Sequence, residues 1–69
     1  MELILNKKYL CKKSLQTDIT DIQLDKYYEI VKIGTNHIMI LSDKEYEAFS
    51  KLENNSVSPY YFYDYFYTK

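Results

Sequence analysis

Short apolar runs separated by polar stretches organise this chain, and the runs are strand-sized. Tyr27–Ile33 is rich in aromatic and β-branched residues and predicts a strand. His37–Leu41 predicts a second, and Gly34-Thr35-Asn36 between them reads as a hairpin turn. Ser42-Asp43-Lys44 reads as another turn, leading into a third run at Glu45–Phe49. Upstream, Lys8–Lys13 carries Tyr9, Leu10 and Cys11 and predicts a first strand. Lys13–Lys26 holds Leu15, Ile19, Ile22 and Leu24 at spacings that fit no single period. That stretch is expected to be a long, partly ordered loop tucking these side chains inward, with a short helix as the alternative. Lys51–Ser58 is polar and loop-like, and Pro59 stops whatever precedes it. Tyr60–Tyr67 closes the chain as a strand, or as a short helical turn followed by a strand.

The expectation is therefore mainly β: one domain over residues 1–69, with four to five short strands and room for one short helical turn. A sheet that small buries a face by curling on itself, so a small barrel is the expected form. Sixty-nine residues make a thin core. The single cysteine, Cys11, excludes an internal disulfide, and with one histidine it leaves too few ligands for a structural zinc site. Extra stability would then come from a partner or from self-association. The free thiol fits a reducing, intracellular setting. The longest internal apolar run, Ile38–Leu41, is too short to span a bilayer, and Met1–Asn6 lacks the basic start and long apolar stretch of a signal peptide. A cytoplasmic protein with no membrane partner is expected.

The net charge is −1, and all nine basic residues are lysines. Without arginine the chain lacks the usual bidentate reader of guanine and phosphate, which argues against sequence-specific DNA binding. Usage of Lys, Asn, Ile and Tyr suggests an AT-rich coding genome, a hint toward low-GC bacteria and their phages.

Nucleophilic catalysis needs a nucleophile, an adjacent base and a group to orient it. Cys11 sits between apolar neighbours and reads as a small buried hydrophobe, while His37 reads as an exposed residue at a strand start. Glu45 and Glu47 share a strand face, which reads as a solvated face rather than a metal site. No phosphate-binding loop or metal-ligand spacing is present, so no catalytic, metal or cofactor residues are assigned and an enzyme is not expected.

Tyrosine is the feature that stands out: nine of 69 residues, five of them between Tyr60 and Tyr67. In a strand, Tyr61, Tyr63, Tyr65 and Tyr67 share one face, opposite Phe62 and Phe66. In a helical turn Phe62 and Phe66 still coincide at i, i+4, so both readings send them into the core. The tyrosine row is then expected to face outward as a binding surface, with Asp64 supplying charge and Tyr27 and Tyr46 extending it. Lys7, Lys8, Lys12 and Lys13 form a basic cluster that reads as ordinary solvated lysines, although lysines beside aromatics also suit single-stranded bases.

The order of features resembles the Src-homology-3-like small barrels of Gram-positive bacteria and their phages. The resembling residues are Tyr9-Leu10-Cys11 and then, after a long loop, Asp25-Lys26-Tyr27-Tyr28-Glu29-Ile30-Val31. The hairpin through Ile38 and Ile40, Glu47-Ala48-Phe49-Ser50 and the closing Tyr61-Phe62-Tyr63-Asp64-Tyr65-Phe66 complete the series. The chain departs from that pattern by lacking a glycine before the second strand, where Asp25-Lys26 stands. The resemblance implies the barrel fold. Together with the small size, the lack of catalytic groups and the tyrosine-rich surface it leads to the expectation of a non-catalytic binding protein, of the kind phages use to inhibit host defence proteins such as CRISPR nucleases. Its partner-binding residues are then Tyr61, Tyr63, Tyr65, Asp64, Tyr27 and Tyr46. The alternatives are a barrel that binds single-stranded nucleic acid and a protein, monomeric or homo-oligomeric, that sequesters a nucleotide signal.

Overall fold

In the computed structural model, which describes residues 3–53 and 59–68, two apolar runs and a glycine turn make the central hairpin. Strands β1 (Lys8–Leu10), β2 (Leu15–Gln16), β3 (Asp21–Ile22), β4 (Tyr27–Ile33), β5 (His37–Leu41) and β6 (Tyr46–Ser50) precede a single helical turn, α1 (Phe62–Tyr65). The protein is mainly β. Antiparallel pairing builds a four-stranded sheet in the order β1-β4-β5-β6, with β2 and β3 as a separate pair.

β4 and β5 occupy the positions their composition predicts. Gly34 donates its amide to the His37 carbonyl at 2.8 Å, and a Cβ there would come within 2.5 Å of His37 Cε1, so the turn holds the imidazole against a bare backbone. The β5–β6 turn is the predicted Ser42-Asp43-Lys44, where the Ser42 hydroxyl donates to the Glu45 carbonyl at 2.6 Å. Asp25, two residues before β4, takes φ 66°, a left-handed position filled here by an aspartate.

The stretch Lys13–Lys26 differs from expectation. It is a small hairpin, neither a loose loop nor a helix. Leu15 and Ile22 face each other across it and turn toward the core, whereas Ile19 and Leu24 lie in the flanking turns and stay exposed. Pairing of two residues per strand is too little to hold a hairpin alone. Tertiary bonds hold it instead. The buried Thr20 hydroxyl donates to the Glu47 carboxylate, and the Asp43 and Glu45 amides donate to the Asp21 and Ile19 carbonyls.

The expected barrel is not closed. The C-terminal segment touches both outer strands through single-residue bridges, Ser50 to Tyr61 beside β6 and Cys11 to Phe66 beside β1. Between them it winds through α1. Four residues in a helical turn bring Phe62 and Phe66 onto one side, where their rings stack at 4.7 Å. Both are buried against Phe49, whose ring lies 6.3 Å from Phe62 and 5.7 Å from Phe66 in edge-to-face geometry. Ile22, Ile30, Ile38 and Ile40 complete the interior.

A polar hub forms at the start of β4, where the Tyr28 ring also lies edge-on to Phe66 at 6.2 Å. Tyr28 donates its hydroxyl to Asp43 at 2.7 Å and accepts from the Gln23 amide at 2.8 Å, while Lys26 pairs with Asp43 at 2.5 Å. The hydrogen bonds from Lys26 and then Tyr28 hold the Asp43 carboxyl below its ordinary range. Burial, and then the bond to Asp43, raise the Tyr28 phenol.

Phe66→Ala should destabilise the fold by about 3–5 kcal/mol, a loss comparable with the whole stability of a chain this size, while Tyr27→Ala on the surface should stay within about 0.5 kcal/mol. Urea unfolding followed by circular dichroism measures both. Because the folded Asp43 pKa is depressed, its contribution is present above the unfolded value near 3.9 and is lost as pH falls below it. Asp43→Asn should flatten the fall in melting temperature below about pH 4.

Candidate functional site

The helical turn decides where each tyrosine goes. In a strand, Tyr61, Tyr63 and Tyr65 would form one outward row. In the turn Tyr65 parts from Tyr61 and Tyr63, and all three are half-buried. The Tyr65 ring packs on Phe49 at 5.5 Å and Tyr60 at 6.0 Å, with the Lys13 ammonium 5.1 Å from its centre. The Tyr61 ring meets Tyr63 at 5.5 Å, and Tyr63 lies edge-on to Phe62 at 5.6 Å. Burial raises the Tyr63 phenol, with Tyr61 and Tyr9 adding to the effect. Asp64 is exposed at the tip of the turn.

The exposed aromatics are elsewhere. Tyr27, Tyr46 and Tyr67 are 60%, 56% and 52% exposed. Tyr46 stands opposite Leu41 on the outer face of the sheet. Tyr27 stands opposite Leu10 at the other side of the sheet, where β1, the start of β4 and the C-terminal segment meet. A groove of about 800 Å³ opens there. Its walls carry Lys7, Lys8 and Lys12 with Tyr27, Tyr63 and Tyr67, and Asp25 is the acidic residue among them. The structure thus brings Tyr27 and Tyr63 together, and leaves Tyr46, Tyr61, Asp64 and Tyr65 outside the groove.

Backbone pairing positions these groups. The Tyr67 amide donates to the Leu10 carbonyl at 2.9 Å and the Lys12 amide to the Tyr65 carbonyl at 2.8 Å. This pairing fixes Tyr67 beside β1 and sets the Lys12 ammonium 5.6 Å from the Tyr67 ring centre. Lys7 lies similarly over Tyr9 at 5.4 Å. Such cation–π contacts hold ammonium groups in place while leaving their N–H bonds to face a ligand.

The sequence reads Lys7, Lys8, Lys12 and Lys13 as solvated side chains, whereas the structure sets Lys7, Lys8 and Lys12 in one groove with Tyr27, Tyr63 and Tyr67. The available signal was the placement of lysines at both ends of a strand bearing Tyr9 and Leu10.

Cys11 and His37 lie toward opposite ends of β4, about 20 Å of strand apart. They form no nucleophile–base pair. Cys11 is buried, donates to the Lys13 carbonyl at 3.1 Å, and burial pushes its thiol up. Glu47 spends its carboxylate on Thr20 and the Ala48 amide. Among the described residues, no three His, Cys, Asp or Glu side chains gather as a metal site, and no helix is long and apolar enough to cross a membrane. Comparisons with protein-family models, curated proteins and solved structures find no match.

Cys11 should therefore be inert in the folded state. At pH 8 a disulfide reagent such as Ellman's should react with it at least about a hundredfold more slowly than in denaturant, as expected for a buried thiol of raised pKa. Equal rates would contradict its placement.

Proposed function

We propose that this chain is a small non-catalytic binding protein that seats a protein partner in the lysine–tyrosine groove beside β1. The carrying observation is the exposure of Tyr27 and Tyr67, 60% and 52%, within a groove that also holds Lys7, Lys8 and Lys12. Large exposed rings are costly to solubility, and tyrosine offers contact area with few rotors to freeze plus a hydroxyl to bond. These are the properties of interface hot spots.

The resemblance to Src-homology-3-like proteins of Gram-positive bacteria and their phages supports a narrower form of the reading. In it the chain inhibits a host defence protein in the bacterial cytoplasm by occupying it, as anti-CRISPR proteins do. A domain that binds single-stranded nucleic acid is the second reading, favoured by the same meeting of lysines and tyrosines. The net charge of −1 and the lack of arginine weigh against it.

Affinity capture from a low-GC bacterial lysate tests the proposal when the wild-type chain is compared with the Tyr27→Ala/Tyr67→Ala double variant. A discrete protein should be retained by the wild type and reduced at least about tenfold by the folded variant. Undiminished capture by the variant, or recovery of nucleic acid alone, would overturn it.

A further inference from the structure

We infer that the groove reads a short, extended acidic segment of the partner, an inference that rests on the groove being the partner-binding surface. Carboxylates of that segment would meet Lys7, Lys8 and Lys12, and an apolar or aromatic side chain would lie on Leu10 and Tyr27. The first support is charge. Lys7, Lys8 and Lys12 are exposed, and among the described residues no carboxylate lies within 4.0 Å of their ammonium groups. The groove is thus locally basic on a chain whose net charge is −1. A long polyanion would feel that unfavourable net charge along its length, whereas a short acidic segment would feel chiefly the lysines within a Debye length.

The second support is the state of the rings. Lys12 already lies over the Tyr67 ring, 5.6 Å from its centre, so that face is taken from a stacking base. The same contact restrains the ammonium, lowering the ordering cost of a carboxylate contact. Tyr27 remains 60% exposed beside the half-buried Leu10, its partner across β1 and β4. This apolar patch lies between the lysines and suits a hydrocarbon or aromatic side chain.

The third support is spacing. Lys8 and Lys12 lie about 13 Å apart along an extended backbone. An extended ligand would match them with acidic residues about four positions apart.

Fluorescence anisotropy tests this with a labelled peptide of about eight residues, carrying glutamates four apart around one phenylalanine. The same peptide with glutamines and an oligothymidylate of similar length serve as comparisons. The acidic peptide should bind more tightly than either, and its affinity should fall with added salt. Lys8→Glu and Lys12→Glu should each weaken it about tenfold, and Lys12→Gln covers the case in which Lys12→Glu fails to fold. Lys32→Glu makes the same change in net charge on an exposed part of β4 outside the groove, and should stay within about twofold.

Equal binding of the glutamine peptide, tighter binding of the oligothymidylate, an equal loss with Lys32→Glu, or no binding of the acidic peptide would each overturn the inference. If such a result accompanies protein capture that still depends on Tyr27 and Tyr67, only the acidic-segment assignment falls. If capture is also independent of those tyrosines, the groove itself is the wrong surface.

Discussion

The stacked rings of Phe62 and Phe66 beneath Phe49 are the contact on which the rest of the molecule depends. A chain of 69 residues cannot cover both faces of a four-stranded sheet by strands alone. The C-terminal segment crosses the open side and buries two phenylalanines there, each worth about 1.5–3 kcal/mol of apolar burial. Docking of Phe66 places Tyr67 beside Leu10 and Lys12, and docking of Phe62 places Tyr63 in the groove wall. The same packing that completes the core builds the wall of the groove. Phe62 and Phe66 therefore set both the stability of the fold and the shape of the groove, whereas Tyr27 and the lysines stand exposed on its walls.

Polar contacts do for the rest of the sheet what the phenylalanines do for its open side. Asp43 gathers Lys26, Tyr28 and Gln23 from the approach to β4. Thr20 and Glu47 fasten the β2–β3 hairpin across the end of β6. These bonds cross between elements far apart in sequence, so they hold together pieces too short to be stable alone.

The same distinction separates what the sequence makes legible from what it does not. β4 and β5 announce themselves through runs of β-branched and aromatic residues flanking Gly34, a local signal that tertiary structure leaves intact. Phe62 and Phe66 are legible as core because a spacing of four places them together in a strand and in a helical turn alike. That ambiguity hides the fate of the tyrosines between them, since the two conformations send Tyr63 and Tyr65 to different places. The β2–β3 hairpin is illegible because its supports, Thr20 to Glu47 and Asp43 to Asp21, are not local. The groove is illegible for the same reason: β1, β4 and the chain's last residues contribute to it, and only the fold brings Lys12 to Tyr67.

The docking of the C-terminal segment is thus the central claim, and amide hydrogen exchange tests it most directly. The amides of Lys12, Phe66 and Tyr67, bonded to Tyr65, Phe62 and Leu10, should be protected to the same degree as those of the β4–β5 ladder, opening only with global unfolding. Exchange of these amides at the rates of an open chain, while β4 and β5 remain protected, would contradict the account.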